Sequence, residues 1–547
     1  MDITRLRTIP SGGMRRPGPA RLRGQATVLF LVLSGVLCLG LILMFDTGQS
    51  VNKKVQLVNT ADAAAYSVAV QEAKALNFSA YMNRGRVANE VTIAQMVSLW
   101  SWSNMLHTHT LVGYNLFTYL AGIAAASVVL SPAAPFLEAV ARAYKVAEKI
   151  VAAGRTGYHK IITVGGLIPG MKGGLVEALS ALNGIFATAT AAVLNFVGGM
   201  DGYLVATDVV EKNDPTAKFD LVGKALLIKQ LENATTRGTL GESFLTGYSK
   251  DKDGGAGMER FRNVVMASRD EFSADRGQNL DFWLAEIGTW GGTDMVDYER
   301  WAGMDTMFIE INLPYPLSDM DMPLGWGGAQ AVNSRKTLPS FLPGIQSGEH
   351  GGEGWYAKGH SGQPTYEPYG GSRGNTANLA DDYPSVNTPG LWGASNSLTK
   401  KRDAYFEGYQ GLQPYQDVKD KYAQQPEGKD AGPEFTVYIY SDRKDAETSQ
   451  DIDGIGGPAG GALELKNDMA NNRITAISTA QAYFNRPPAD RKSLFQRLVP
   501  KEWNGDPVTD GQLEKGSLFS PYWQARLIET RKELYLAAGI SSLVGAP

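Results

Sequence analysis

Residues 26–45 read ATVLFLVLSGVLCLGLILMF, twenty positions without one charged side chain. Wound as a helix, such a run is about 30 Å long, the thickness of a bilayer's hydrocarbon core. In lipid the backbone of a single segment can satisfy its polar groups only by forming a helix, so this stretch predicts a membrane span and divides the chain. Ahead of it, Arg5, Arg7, Arg15, Arg16, Arg21 and Arg23 face only Asp2, a bias that places the amino terminus in the cytoplasm and the chain beyond Phe45 outside. A cleaved signal peptide has a shorter apolar core, about 7 to 15 residues, ending in small residues. Phe45-Asp46-Thr47-Gly48 offers no such site, which favours a retained anchor.

The 547 residues carry a net charge of -4, and the leader's +5 leaves about -9 beyond it, so no broad basic surface suited to nucleic acid is implied. The one cysteine, Cys38, lies inside the apolar run, and the remainder has no thiol to oxidise. Hydrophobic content of 43% is that of a folded chain.

After the anchor, Val51, Val55, Val58, Ala61, Ala65, Val68 and Ala69 recur at helical spacing, with no proline before Pro132. This predicts a helix continuous with the span and bearing a small-residue face, available to another helix or to the chain's own core. Residues 111–137 and 178–200 lack charge and are tested as further spans. Pro132, Pro135 and several polar residues in the first, and alanine, threonine, glycine, Asn183 and Asn195 in the second, argue for buried or interfacial helices. Beyond Asp201, 264–266, 282–284, 307–311 and 435–440 read as strands, 325–383 as a glycine-rich surface excursion, and 522–537 as a helix. The fold class expected is α+β: a transmembrane helix running into a long helical region, then a mixed α/β, loop-rich part. The division expected is a leader (1–25), an anchor (26–45), a helical region (46–200) and a mixed periplasmic region (201–547) with long loops near 325–400.

Few residues suggest chemistry. His107 and His109 point to different helix faces and read as packing residues. Glu349, His350, Glu353 and His360 lack a metalloprotease spacing, and Asp451-Ile452-Asp453-Gly454 lacks the later ligands of a calcium loop. Gly370-Gly371-Ser372-Arg373-Gly374 fits a nucleophile-elbow pattern without the flanking strand and helix. No catalytic residue, cofactor or metal is expected. Asp62 stands among alanines, and Arg84 and Arg86 are about six turns further on, so its expected donor comes from another helix or subunit.

Arg23-Gly24-Gln25-Ala26, the span, Asp46-Thr47-Gly48 and Val58-Asn59-Thr60-Ala61-Asp62-Ala63-Ala64-Ala65-Tyr66, in that order, resemble the amino-terminal module of TadE/TadG-like proteins of the tight-adherence (Flp) pilus system. The segments 81–91, 267–273 and 519–527 look like the longer TadG-related proteins. The resemblance implies an inner-membrane component of a pilus or secretion apparatus, its body periplasmic, with pilins, pseudopilins or further copies of itself as partners. Asp46, Asn59, Ala61, Asp62, Ala65, Asn83 and Arg84 are then the candidate helix-packing residues. Two features depart from the family. Cleavage after Gly24 would put Leu29 where processed pilins carry glutamate, and the D-x-S-x-S metal motif of some TadG proteins does not occur. A surface adhesin or minor pilus subunit, and a membrane-tethered envelope enzyme using tryptophans such as Trp283, Trp290, Trp326, Trp355 and Trp392, are the alternatives.

Overall fold

The computed structural model describes residues 23–163, 174–196, 201–238, 242–251, 255–282, 285–311, 320–332, 405–406, 408–423, 432–446, 473–485 and 516–537. Its axis is α1 (Arg23–Ala126), one helix of 104 residues and so roughly 156 Å of contour. No proline interrupts it, as the sequence led us to expect. Side chains such as Phe30 (70% exposed), Leu37 (60%) and Met44 (73%) meet no other part of the protein. So contiguous an apolar surface marks a membrane or protein contact, and its length suits a membrane span.

From Lys53 onward the body packs against α1 and covers part of its circumference. The chain turns at the far end through a short 3-10 turn (Ser131–Ala133) and comes back along α1 as three successive helices, α2 (Ala134–Thr163), α3 (Gly174–Phe196) and α4 (Gly202–Asn213). Cross-contacts fix the antiparallel register. His107 Nε2 meets Glu148 Oε1 at 3.1 Å, Tyr158 Oη donates to the Met96 carbonyl at 3.0 Å, and Asn89 Nδ2 donates to Asn183 Oδ1 at 2.8 Å. Gln71 Nε2 donates to Asp201 Oδ2 at 3.1 Å. Where α2 crosses α1, a Cβ on Gly113 would lie 2.2 Å from the Tyr144 ring, so glycine permits the approach.

The return ends at Asp214. Lys53 Nζ donates to both of its carboxylate oxygens at 2.9 Å and to Thr216 Oγ1 at 2.7 Å, and the two charged side chains are 9% and 1% exposed. Burial opposes charge on Asp214, but the hydrogen bonds from Lys53 and Thr216 and the lysine's charge outweigh it and hold the carboxyl below its usual range. A depressed acid contributes stability above its unfolded pKa and loses it as pH falls through the folded value. Lys53→Met leaves this carboxylate buried without its counter-ion and is expected to cost about 3 kcal/mol at pH 7. Urea denaturation should show the gap between variant and wild type closing as the pH drops below about 4.

After α4 come β1 (Lys218–Phe219), α5 (Leu221–Ala234), β2 (Leu245–Tyr248), α6 (Ala256–Ala267), α7 (Glu271–Ala274), β3 (Gln278–Phe282), β4 (Ala285–Asp297), β5 (Arg300–Ile311) and β6 (Met320–Val332). Beyond these lie β7 (Tyr405–Phe406), β8 (Tyr415–Val418), α8 (Asp420–Ala423), β9 (Glu434–Asp442), β10 (Arg473–Phe484), β11 (Trp523–Ile528) and α9 (Lys532–Ala537). Helices first and antiparallel sheets after make the class α+β. One sheet has the order β1-β9-β10-β11, a pair joins β2 to β8, and the meander β3-β4-β5-β6 carries β7 parallel at its edge.

Both larger sheets pack on α1. Nearer the membrane, Ala61, Ala64, Ala65, Val68 and Ala69 share a core with Phe435, Val437 and Ile439 of β9 and Ala476, Ala480 and Ala482 of β10. Small side chains on helix and sheet let the two backbones come close. Farther along, β4 to β6 lie on Val97 to His109. There a Cβ on Gly327 would stand 2.1 Å from the Met105 amide nitrogen, so the strand can cross the helix only as glycine.

That packing corrects the sequence reading of 325–383, because its first residues belong to β6 while 333–404 lie outside the described residues. Val264, Val265 and Met266, expected in a strand, lie in α6, whose Met258, Phe261 and Val265 repeat at helical spacing toward the core. The helix expected over 522–537 begins only at Lys532; Trp523–Ile528 instead pairs antiparallel with β10, whose free edge offers hydrogen bonds for the segment. Of the expected strand over 282–284, Phe282 ends β3 and 283–284 lie outside the described residues.

Candidate assembly surface

A helix that binds another in a pilus apparatus needs side chains that the body leaves uncovered. Around α1 just above the span, Val51 (57% exposed), Val55 (51%), Asn59, Asp62 and Tyr66 (44%) fall within an arc of about 80°. Each is spaced three or four residues from the next, and the stripe prolongs the surface of the span. Asp62 is half-buried and makes no hydrogen bond or ion pair among the described residues.

The seven residues singled out in the sequence therefore separate. Ala61 and Ala65 are fully enclosed by the chain's own β9 and β10. Asn59 and Asp62 face outward, and Asp46 sits half-buried at the membrane boundary. Val51 and Val55, which the spacing groups with Ala61 and Ala65, stay uncovered, since the body closes on that line of α1 only from about Leu57.

Asn83 and Arg84 do something else. Asn83 Nδ2 donates to the Leu518 carbonyl at 2.8 Å, and Arg84 Nε donates to the Phe519 carbonyl at 2.6 Å. About two turns earlier Asn77 exchanges two 2.9 Å hydrogen bonds with the Trp523 backbone. These three side chains fasten the segment 518–523 to α1, joining two of the stretches that carried the wider resemblance.

Sequence reasoning missed a buried hub about two turns further. Glu90 Oε2 accepts from Trp301 Nε1 at 3.0 Å and Tyr409 Oη at 2.9 Å, while Oε1 accepts from Asn183 Nδ2 at 2.8 Å. Burial pushes its carboxyl pKa up, against those three bonds and the charge of Arg86. Arg86 lies 4.8 Å over the Phe261 ring and donates to Asn83 Oδ1 and the Gln413 carbonyl; burial lowers it to about 10. Glu72, Ser79, Asn83, Arg86 and Glu90 repeat every three to seven residues on the line of Val68 and Leu76, and that polar row was the available signal.

The strongly shifted acids, Glu72, Glu90, Asp294 and Asp417, are all enclosed in packing. Asp294 is paired with Arg269 at 2.7 Å, and Asp417 accepts the backbone amides of Val418 and Leu518. Asp294 and Asp417 thus tie neighbouring segments together, whereas Glu72 Oε2 has no hydrogen-bond partner. His107 bonds Glu148, His109 bonds the Leu324 carbonyl at 3.1 Å, and His159 packs against the Trp100 ring. His350, His360, Asp453 and Ser372 lie outside the described residues. Among the described residues no three or more His, Cys, Asp or Glu side chains gather as metal ligands would.

Residues 24–71 match the family described as putative Flp pilus-assembly TadE/G-like. The match spans the membrane helix and the whole exposed stripe, and it supports a part in Flp pilus assembly. No curated protein and no solved structure is significantly similar to the chain.

Proposed function

We propose that this chain is a non-enzymatic, single-pass inner-membrane component of Flp pilus assembly. Its amino terminus is cytoplasmic, its body from Asp46 onward periplasmic, and residues 26–45 are the anchor. It associates through Val51, Val55, Asn59, Asp62 and Tyr66 with a second membrane-anchored helix, that of a pilin, a pseudopilin or another copy. The observation that carries this reading is the continuity of an uncovered stripe, bearing a half-buried carboxylate, with the span itself. Two helices anchored in one membrane are already confined and nearly parallel, so a modest contact suffices to pair them.

The packing of α3 supports a single crossing. Its Asn183 bonds Glu90, and its Ser180 Oγ accepts the Gln410 amide at 2.8 Å, so the helix is committed to the body. The sheets and their buried pairs serve to hold α1 rigid.

Crosslinking in cells tests the reading. With Cys38→Ala as background, Asn59→Cys or Tyr66→Cys carrying a photoreactive label is expected to capture another membrane protein, and Lys212→Cys, on the exposed flank of α4, is not. Asp62→Ala should lower the adduct yield roughly tenfold, the loss of one charge-assisted contact. Equal capture from Lys212→Cys, or none from the stripe, counts against it. A carboxyl-terminal tag protected in the cytoplasm overturns the orientation.

A further inference from the structure

The opposite end of α1 carries a second uncovered apolar surface. No charged side chain occurs over residues 111–137, and around the turn Tyr119 (54% exposed), Ile123 (45%), Val128 (94%), Val129 (84%), Leu130 (51%) and Phe136 (69%) project from both helices and from the turn between them. Val128 and Val129, the most exposed of these, stand at the turn with apolar groups of both helices behind them, an apolar end of the kind that enters a lipid surface.

Part of the turn's backbone is paired within the segment. Ser127 N donates to the Ala124 carbonyl at 3.2 Å, Ala133 N to the Leu130 carbonyl at 2.9 Å, and Leu130 N to Ser127 Oγ at 3.4 Å. Pro132 and Pro135 have no amide hydrogen to strand. Each such bond leaves one backbone group fewer to desolvate.

Charge resumes just below. Arg142, Lys145 and Lys149 are exposed at spacings of three and four, with Glu138 beside Arg142 at 3.9 Å; Glu148 is turned to His107. From Phe136 to Arg142 and Lys145 is about 9 to 14 Å of helix, close to the depth of one leaflet's hydrocarbon. Tyr114, under the Lys145 ammonium at 5.2 Å, supplies an aromatic at the same level. A cationic and aromatic collar at that depth suits anionic headgroups.

We propose that this helical tip inserts into the near leaflet of a second lipid bilayer. With Phe45 at one membrane and Tyr114 at the headgroups of the other, about 69 residues of α1 then form a strut of about 100 Å between two membranes. The inference goes beyond the pairing stripe and does not depend on it.

The test uses the full chain in lipid nanodiscs, which occupy the anchor. With Cys38→Ala as background, Val129→Cys carries a solvatochromic dye. Vesicles of phosphatidylcholine and phosphatidylglycerol at three to one are expected to shift the dye to the blue, and phosphatidylcholine alone to do so more weakly. Adding Val128→Asp and Leu130→Asp should weaken vesicle binding at least about tenfold. Because both side chains are exposed, the circular dichroism melt should not move. A dye on Lys212→Cys should stay unshifted. The proposal is overturned if neither vesicle shifts the tip dye, if Lys212→Cys responds equally, or if a membrane-free periplasmic extract shifts the dye and vesicles do not.

Discussion

Glu90→Ala is expected to destabilise the protein by about 4 to 6 kcal/mol, enough to leave it largely unfolded at 37 °C. The substitution strands three buried donors at once: Trp301 Nε1, Tyr409 Oη and Asn183 Nδ2. It also takes the nearest counter-charge from Arg86, which is 1% exposed. Each stranded donor costs about 1 to 3 kcal/mol, and the cavity adds to that. The elements released are α3, β5 and the segment before β8, so β5 and α3 should lose amide protection together.

Glu90→Gln separates charge from shape. With its oxygen at the Oε2 position the amide still accepts from Trp301 and Tyr409, while its NH2 faces Asn183. Asn183 must then turn its own oxygen inward and give up the 2.8 Å bond from Asn89. The expected cost is about 1 to 2 kcal/mol, well below that of alanine. Urea denaturation followed by tryptophan fluorescence should rank wild type, glutamine and alanine in that order. Equal losses would show that the carboxylate's charge, and not its two acceptor oxygens, holds the hub.

How much of the fold was legible in the sequence depends on which forces are local. Ala26–Phe45 declares itself because a span needs nothing but its own length and hydropathy, and α1 continues because no residue in it breaks a helix. The β9 strand was legible from Phe435-Thr436-Val437-Tyr438-Ile439-Tyr440, where branched and aromatic residues agree with the pairing later formed. Gly325 and Gly327 misled because glycine ordinarily marks a turn, while here it is dictated by a helix more than two hundred residues earlier in the chain. Trp523–Ile528 misled for a similar reason: β10 decides its conformation, and its own spacing does not.

The candidate surface was half visible. The order of Asn59, Ala61, Asp62 and Ala65 drew attention to this stretch of helix, but helical spacing alone does not say which arc the body will cover. That is settled by α4 and β10, one bonding Gln56 through Asn213 and the other bonding Lys54 through Thr475. Those flanks leave Val51, Val55, Asn59, Asp62 and Tyr66 open between them, and take Ala61 and Ala65 inside.

The second large effect is expected at Glu72, where replacement by glutamine should stabilise the protein. Glu72 is 2% exposed, and its Oε2 has no hydrogen-bond partner. Burial pushes its carboxyl up from 4.5 to about 8. A raised acid holds its proton in the folded state at pH values where the unfolded chain has released it. Stability therefore falls as pH rises from about 4.5, at about 1.4 kcal/mol per unit, and levels off above 8. By pH 7 the loss amounts to about 3 kcal/mol. Glu72→Gln keeps the shape without the ionisation, so it should gain about that much at pH 7 and little at pH 4. Urea midpoints of the full chain in one detergent, taken at whole pH units from 4 to 8, read this directly: the wild-type profile slopes downward, and the variant's is flatter by the contribution of one proton. A variant weaker than wild type at pH 7 would mean that the carboxylate is charged and paired, and the row from Glu72 to Glu90 would then be held by charge along its whole length.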